Sequence, residues 1–192
     1  MLKKKNLLII SFMGVDGSGK TSLSKKIKKI FKGATYLHLK PYIFFLDKRT
    51  IVKDPHREKK STFIMSIIRL LSWLASYKIF FFINKINKVF IFDRYAHDVL
   101  IDPIRYKHNL PKVITRYILS FFPEPDLWIF LKPTLKTIKS RKSELSDSEI
   151  NRQIKEYVYF FKNKKNVLML KTSTNSQILL VKIKKKLYSL RK

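Results

Sequence analysis

Short apolar runs alternate with segments of helical character along this chain. Runs of strand length predict strands over 7–13, 34–40, 88–92, 126–131 and 166–170. The segments between and after them predict helices over 20–31, 63–84, 111–121, 134–163 and 176–190. The helix over 134–163 is expected to break near the polar sequence SELSDSE, and the charged stretch 41–60 is expected to be an irregular connection. Apolar strands that alternate with helices indicate an α/β fold, in which helices cover both faces of a parallel sheet.

The longest of these helical segments carries a polar stripe. Residues 63–83 are long and apolar enough to span a bilayer, but they include Arg69 and Lys78, and each charge costs roughly 3 kcal/mol in mid-membrane. The stripe consists of polar residues spaced three and four apart, namely Thr62, Ser66, Arg69, Ser72 and Ser76. This pattern favours a helix buried on most sides with its polar face toward a wet pocket. A membrane span, and a surface helix whose stripe faces solvent, are the less favoured alternatives.

The stripe is expected to face the segment 93–106, DRYAHDVLIDPIRY, across a cleft. Arg69 on a mostly buried helix needs a partner, because an unpaired buried charge is costly. Asp98 and Asp102 are the candidate partners while no substrate is bound, and a substrate anion would take their place.

Composition excludes some classes of site. The 192 residues include no cysteine, which excludes disulfides and cysteine nucleophiles and suits a cytoplasmic location. The net charge of +29 would suit a polyanionic partner, but the lysines are spread through the chain, as an AT-rich coding sequence would produce, and nucleic-acid binding is disfavoured.

Residues 1–15 begin like a signal peptide, yet no small-residue cleavage site follows. With no repeat or linker visible, we expect a single domain over 1–192.

The sequence GVDGSGKTSL, between the first predicted strand and the first predicted helix, matches the phosphate-binding loop pattern Gly-x-x-x-x-Gly-Lys-Thr. Glycine lets such a loop aim its backbone N–H groups at a triphosphate, and the dipole of the following helix favours the same anion. Lys20 can bridge the β- and γ-phosphates, and the Thr21 hydroxyl can ligate Mg²⁺. The residues predicted to bind ATP are Gly14, Val15, Asp16, Gly17, Ser18, Gly19, Lys20, Thr21 and Ser22.

A second candidate motif is Asp93-Arg94, at the carboxyl end of the predicted strand 88–92. Ligands of open α/β sheets bind at this end of the strands. Asp93 could hold Mg²⁺ through water, and Arg94 could bind an acceptor phosphate with two N–H groups. An ion pair that caps the strand is the alternative interpretation.

These two motifs together resemble the thymidylate kinase branch of the P-loop nucleoside monophosphate kinases. The resemblance implies the P-loop NTPase fold, with a five-stranded parallel sheet and helices on both faces. It also implies ATP and Mg²⁺, transfer of the γ-phosphoryl group to a nucleotide such as dTMP, and frequently a homodimer. A lid-like segment would lie at about 139–152.

The resemblance also implies roles for individual residues of this sequence. Lys20, Asp93, Arg94 and Arg141 would be catalytic, and Arg152 is a second candidate for the lid arginine. Thr21 and Asp93 would hold the metal. The residues expected to bind the acceptor are Asp16, Arg69, Arg94, Tyr95, Asp102 and Arg105.

This sequence departs from the family pattern in two places. Where thymidylate kinases have an Arg-Glu-Pro-Gly-Gly segment, this chain has HLKPYIFFLDKRT, in which Arg49 is a candidate replacement for the family arginine. The DPIRY segment at 102–106 and the RKSEL segment at 141–145 are similar to thymidylate-kinase-like proteins of surface-polysaccharide loci. A kinase with a sugar, lipid-linked or glycan phosphate as acceptor is therefore an alternative function, and an NTP-binding regulatory or nucleic-acid-associated protein is another. Peripheral membrane association is not favoured.

Overall fold

The computed structural model describes residues 7–41, 61–84, 88–141, 145–172 and 175–191. Internal contacts divide the chain into two compact units. Unit 1 comprises 1–38, 85–95 and 125–192, and unit 2 comprises 39–84 and 96–124. The single domain and its lid stay predictions. The connection predicted over 41–60, with Arg49, lies almost wholly outside the described residues.

Unit 1 contains a sheet of five parallel strands, as the resemblance implied. The strands are β1 Leu7–Met13, β2 Thr35–His38, β3 Lys88–Asp93, β4 Leu127–Lys132 and β5 Val167–Lys171. Their spatial order is β2-β3-β1-β4-β5, so β1 lies at the centre. The helices are α1 Lys20–Ile30, α2 Phe63–Ile83, α3 Lys112–Leu119, α4 Leu135–Lys139, α5 Asp147–Lys162 and α6 Ser176–Arg191, with a 3₁₀ helix at Ala96–Leu100.

Apolar side chains of the strands in unit 1 form two apolar layers, one on each face of the sheet. On one face, Ile10 of β1 belongs to a buried cluster with Ile27 of α1 and Ile183 of α6. On the other face, Phe130 of β4 packs against Phe161 of α5, with ring centroids 5.3 Å apart. Side chains of successive strand residues point to opposite faces, so near-continuous apolar strands need cover on both sides. The predicted α/β fold, with helices on both faces of a parallel sheet, is confirmed.

The helical stretch predicted over 134–163 divides into α4 and α5, as the polar segment indicated. Side-chain caps fix where each helix begins. The Thr134 hydroxyl accepts a hydrogen bond from the Thr137 N–H at 3.2 Å, and the Ser146 hydroxyl accepts one from the Glu149 N–H at 3.3 Å. Such caps satisfy N–H groups that have no partner inside the helix, so Ser146 favours a new start over a continuous helix.

Unit 2 contains α2, α3 and the 3₁₀ helix, and α2 turns two residues of its polar stripe, Ser66 and Ser76, inward. Ser66 and Ser76 are buried, whereas Ile64, Ile68 and Phe82 are 67%, 53% and 69% exposed. The prediction that α2 is buried on most sides is therefore wrong, and so is the alternative in which the stripe faces solvent. By length and composition α2 could cross a membrane, although a single such helix is weak support for a membrane span.

Hydrogen bonding explains why Ser66 lies inside. The Asn109 N–H donates to the Ser66 hydroxyl at 3.0 Å, and that hydroxyl donates to the Thr62 carbonyl at 3.0 Å. A small side chain with donor and acceptor capacity lets a neighbouring segment approach the helix and satisfies its backbone groups. Stripe residues therefore contact the segment after the 3₁₀ helix directly, where a cleft was expected.

Candidate active site

The loop between β1 and α1 has the backbone conformation that its glycines allow. Gly14, Gly17 and Gly19 have φ angles of 147°, 79° and 90°, which residues with a Cβ rarely adopt. A Cβ on Gly14 would also lie 2.6 Å from the Leu131 carbonyl oxygen of β4. The loop is held by its own hydrogen bond from the Ser18 N–H to the Val15 carbonyl, at 3.1 Å. This local geometry is the one that a phosphate-binding loop requires.

Lys20 starts α1 and folds back over the loop. Its ammonium donates to the Val15 carbonyl at 2.8 Å and lies 3.8 Å from the Asp16 carboxylate. The side chain is 5% exposed, so the charge is neither in bulk solvent nor in the apolar core. An ammonium held on the loop in this way is positioned for an anion that the loop would cradle.

Asp93, at the end of β3, is the polar centre of the site. Its Oδ2 accepts hydrogen bonds from the Thr21 hydroxyl at 2.5 Å and from the Tyr36 hydroxyl at 2.9 Å. His38 Nδ1 lies 3.8 Å from the same oxygen. Burial alone would raise the pKa of Asp93, but the neighbouring His38, the hydrogen bonds from Thr21 and Tyr36 and the charge of Lys20 lower it to about 2. Asp93 is therefore a carboxylate at neutral pH.

Tyr36 and His38 were not among the predicted site residues. Both lie on β2, which pairs with β3 so that His38 is the register partner of Asp93. Burial and then the charge of Asp93 raise the pKa of Tyr36, so its hydroxyl stays protonated and donates to the carboxylate. Their position at the carboxyl end of a predicted strand was the sequence signal that could have identified them.

Thr21 and Asp93 together fit the ligand preference of Mg²⁺. A hydroxyl and a carboxylate oxygen are hard donors, and this metal binds through few protein ligands while keeping several waters. Among the described residues, the buried Oδ1 of Asp93 has no hydrogen-bond partner. The described residues contain no group of three or more His, Cys, Asp or Glu side chains arranged for a metal, so an all-protein cage is not formed there.

Arg94 follows Asp93 in a strained conformation. Its φ of 72° is unusual for a residue with a side chain, and its backbone N–H donates to the Phe12 carbonyl at 2.9 Å. The guanidinium is 5% exposed and donates to the Asp16 carboxylate. Strain of this type costs on the order of 1–3 kcal/mol and is concentrated at functional sites. In this backbone conformation the Arg94 side chain reaches Asp16 of the phosphate loop.

A cavity of about 370 Å³ lies beside the loop in unit 1. Residues of α1, of the α4 end and of α6 line it, including Ser22, Arg141 and Ser176. The Arg141 Nη1 donates to the Gly17 carbonyl at 3.3 Å, so this exposed arginine already contacts the loop. Arg152, the second candidate for a lid arginine, instead forms a two-point ion pair with Glu149 at 2.6 and 2.7 Å.

Two buried tyrosines of unit 1 differ in what they contact. The Tyr157 hydroxyl donates to the Gly14 carbonyl at 3.2 Å, and the Tyr157 ring is fully buried against Phe130. Tyr95, a predicted acceptor residue, is also fully buried, and its ring packs edge-on against Phe92 and Trp128. The ring of Tyr95 therefore has a packing role in unit 1, and its acceptor role stays a prediction.

The remaining predicted acceptor residues belong to unit 2. Asp102 and Arg105 pair with each other, with Arg105 Nε donating to the carboxylate at 3.1 Å. Arg69 donates to the Tyr106 carbonyl at 2.6 Å rather than to Asp98 or Asp102, so the predicted carboxylate partners of Arg69 are wrong. Backbone carbonyls of the DPIRY turn lie closer to the stripe and take the role assigned to those aspartates.

Solved structures share this fold over nearly its whole length. A thymidylate kinase from Candida albicans matches with a TM-score of 0.65 at 15% identity, over 97% of this chain and 94% of that chain. A deoxyadenosine kinase from M. mycoides with bound dCTP matches with a TM-score of 0.64 at 20% identity, over 95% and 100%. A thymidylate kinase from Ehrlichia chaffeensis matches with a TM-score of 0.63 at 15% identity, over 95% and 99%.

No protein-family model matches this sequence, and no curated protein matches it. The likeness to the three solved structures is one of fold, because none of them exceeds 20% identity. The fold that the phosphate loop and the DRY segment implied is thereby confirmed. This chain has the α/β fold of the thymidylate and deoxyadenosine kinases.

Proposed function

We propose that this protein is a kinase that transfers the γ-phosphoryl group of ATP to a nucleoside monophosphate, dTMP or a related nucleotide. The observation that supports this proposal most directly is the 2.5 Å hydrogen bond from the Thr21 hydroxyl to Asp93, which joins the phosphate loop to the end of β3. Arg94, the next residue, reaches Asp16 of the same loop. Groups suited to a triphosphate, a metal and an anionic acceptor therefore converge within unit 1.

The loop and the neighbouring cavity support ATP as the donor. Backbone N–H groups of the loop and the N-terminus of α1 would bind the phosphates, with Lys20 adding a positive charge. The cavity of about 370 Å³ beside Gly19 has the size of a small-molecule site and is lined by Arg141, Thr172 and Ser176. We assign it to the nucleoside end of ATP.

Thr21 and Asp93 would hold Mg²⁺ together with the phosphates. The metal would supply positive charge to the β- and γ-phosphate oxygens during transfer. Asp93 is suited to this role because its pKa of about 2 keeps it ionised across the physiological range. Tyr36 would orient the carboxylate through its hydrogen bond to Oδ2.

Arg94 is the proposed ligand of the acceptor phosphate. Its guanidinium is already oriented by Asp16, and a guanidinium can bind a phosphate through two parallel N–H···O hydrogen bonds. Lys20, Arg94 and Arg141 would then spread positive charge over the transferring group, which needs placement and charge neutralisation more than a protein nucleophile. A closing lid at about 139–152 would exclude water.

The same proposal covers location and assembly. We place the protein in the cytoplasm, where ATP and phosphorylated small molecules are available to a kinase. A homodimer, implied by the resemblance, is the proposed assembly, and sedimentation at several protein concentrations would measure it. Binding to nucleic acid or to a membrane surface forms no part of the proposed activity.

An acceptor screen with γ-labelled ATP and Mg²⁺ tests the proposal. Transfer of label to dTMP or another nucleoside monophosphate supports it, provided that Lys20→Ala abolishes the transfer. Lys25→Ala is the matched control, because Lys25 is an exposed lysine on the same helix. If label enters only sugar or glycan phosphates, the protein is the alternative kinase, whose acceptor is not a nucleotide. ATP binding without transfer to any acceptor would contradict a kinase.

A further inference from the structure

Two helices of unit 1, α1 and α6, expose lysines side by side on one face of the sheet. Both helices bury one side in the same apolar cluster, with Leu23 of α1 and Leu179 of α6 among its members. Because their inner sides share that cluster, their outer sides share the opposite, solvent-exposed surface. We call this surface the basic face, and it comprises the exposed lysines of the two helices, Lys25, Lys26, Lys28, Lys29, Lys182 and Lys185.

Surface contacts join the two helices of the basic face. The Lys26 ammonium donates to the hydroxyl of Ser176, the first residue of α6, at 3.4 Å. Directly after α1, the Phe31 ring lies beside the Tyr188 ring of α6, with centroids 6.1 Å apart. The lysines of α1 and α6, which are far apart in sequence, therefore form one continuous surface.

No carboxylate neutralises the basic face. The sequence has no acidic residue between Asp16 and Asp47 and none after Glu156, so neither helix contains one. Among the described residues, none of the six lysines forms an ion pair, whereas the exposed Lys139 elsewhere in unit 1 pairs with Asp147 at 2.7 Å. Lysine is common throughout the chain, but the absence of carboxylates leaves the positive charge unbalanced here. Such a surface attracts a polyanion.

Apolar side chains project between the lysines of α6. Ile178, Val181 and Tyr188 are each at least half exposed, on the side of α6 opposite to the buried Ile183. A helical surface that mixes lysine with apolar side chains is typical of helices that bind in the interfacial region of a bilayer. These apolar residues therefore favour a lipid surface over a nucleic acid, whose backbone offers phosphate groups but no apolar phase.

Comparison with two other exposed helices supports a lipid partner. The helix α2 exposes a longer apolar face, but Lys78 is its single exposed cation. The helix α5 exposes apolar residues and lysines, but it also contains Asp147, Glu149 and Glu156. The basic face differs from both, because it combines apolar side chains with positive charge that no acidic residue offsets.

We propose that the basic face docks this protein on the surface of an anionic lipid bilayer. The ammonium groups would lie at the lipid phosphates, and Ile178, Val181 and Tyr188 would lie where the headgroups meet the acyl chains. This inference goes beyond the proposed kinase function and does not depend on it, because no lysine of the face belongs to the proposed sites for ATP, metal or acceptor. The sequence alone did not favour membrane association, since only the fold brings α1 and α6 to one surface.

The attraction is expected to depend on lipid charge and on ionic strength. Each lysine close to an anionic bilayer contributes about fivefold in affinity, so vesicles without anionic lipid should bind at least about 100-fold more weakly. The screening length shortens from about 10 Å at 0.1 M salt to about 3 Å at 1 M salt, so binding to anionic vesicles should fall steeply over that range.

Sedimentation of the full chain with lipid vesicles tests the proposal. The vesicles contain phosphatidylcholine alone or phosphatidylcholine mixed with phosphatidylglycerol, and binding is measured at low and at high salt. A variant with Lys25→Gln, Lys29→Gln and Lys185→Gln should bind the anionic vesicles about 100-fold more weakly, because three charges of the face are lost.

The matched control loses the same net charge elsewhere in unit 1. It carries Lys155→Gln, Lys162→Gln and Lys165→Gln, at exposed lysines of α5 and of the segment after it. Because these positions lie on the other side of the sheet, the affinity should fall by less than about threefold.

A fluorescent label tests the apolar contact separately. The chain has no cysteine, so Val181→Cys provides a single attachment site for an environment-sensitive fluorophore. Its emission should shift to the blue on anionic vesicles, because residue 181 enters a less polar region. Tyr159→Cys, at an equally exposed position of α5, is the control and should show no shift.

Each outcome decides the proposal without a kinase assay. A loss of binding confined to the variant of the basic face, with a shifted label at position 181, supports it whether or not any acceptor is phosphorylated. Equal losses in the two triple variants, an unshifted label on bound protein, or no binding to anionic vesicles would overturn it. Tighter binding to single-stranded RNA than to anionic vesicles, dependent on the same three lysines, would make the partner a nucleic acid and the proposal wrong.

Discussion

The two units arrange their buried charges in different ways. In unit 1, carboxylates accept hydrogen bonds from groups around the loop. Arg94 donates to Asp16, and the Thr21 hydroxyl donates to Asp93. In unit 2, Arg69 is held by carbonyls and Lys40 by an aromatic ring, with no carboxylate on Arg69 among the described residues. The first arrangement is near electrostatic balance and orients groups for chemistry. The second holds a guanidinium on neutral backbone carbonyls.

Lys20→Ala is expected to have the largest effect, because it removes the cation that unit 1 holds on the phosphate loop. Phosphoryl transfer should fall by roughly 10³-fold or more, since one preorganised charge at the transferring group accounts for about that much. Melting temperature should change little, because the ammonium packs on the loop and not in the apolar core. Steady-state kinetics and circular dichroism measure both. Near-normal turnover in a folded variant would contradict the role of Lys20.

Gly14→Ala tests the backbone of the same loop in unit 1 through the stability of the protein. The new Cβ would lie 2.6 Å from the Leu131 carbonyl oxygen, at a φ of 147°. Clash and strain together should lower the free energy of unfolding by about 3 kcal/mol. Gly33→Ala is the control, because Gly33 also has a positive φ of 84° but has no atom within 4 Å of the new Cβ. Its cost should be about 1 kcal/mol, and equal costs in denaturant titrations would refute the close approach.

Asp93→Asn removes the carboxylate at the centre of unit 1. The kcat should fall by about 10²-fold, and the Mg²⁺ concentration needed for half-maximal activity should rise, because a metal ligand loses its charge. The effect of this substitution on the free energy of unfolding should also depend on pH. The depressed pKa of Asp93 contributes stability above its ordinary value near 4, and this contribution is lost as pH falls through about 2. The difference in unfolding free energy between the two proteins should shrink over that window, and a constant difference would argue against the depressed pKa.

Ser66→Ala is expected to have the smallest effect and tests the inward orientation of Ser66 in unit 2. Losing the hydroxyl leaves the Asn109 N–H without its acceptor, which should cost about 1–2 kcal/mol of unfolding free energy. Ser72→Ala is the control on the same helix, because Ser72 is exposed and should change stability by less than about 0.5 kcal/mol. Chemical denaturation of both variants measures the difference. The reverse order would contradict the inward orientation of Ser66.

Local motifs made unit 1 predictable. Residues 14–21 are contiguous, so their spacing and their place between β1 and α1 specified the loop without any knowledge of tertiary contacts. Asp93 was predicted as a site residue because the carboxyl end of a parallel strand is where ligands bind. Tyr36 and His38 were missed because their role depends on which strand pairs with β3, and β2 carries no motif of its own.

Unit 2 was predicted less well because its determinants are long-range. The period of α2 identified two faces but not which face lies inside, and hydropathy favoured burial of residues such as Ile64 that are in fact exposed. Hydrogen bonds from distant backbone, such as Asn109 to Ser66, decide the orientation. The contact of the Lys40 ammonium with the Trp73 ring joins positions 33 residues apart, and no local pattern encodes it.

The most direct test of the kinase assignment follows the γ-phosphoryl group itself. The protein is incubated with γ-labelled ATP, Mg²⁺ and dTMP, and the products are separated and counted. The account predicts that label leaves ATP and appears in an equal amount of dTDP, and that both changes stop in Lys20→Ala but continue in Lys25→Ala. Label that appears only as inorganic phosphate, with none in dTDP or in any other nucleoside diphosphate when the acceptor is varied, would contradict it.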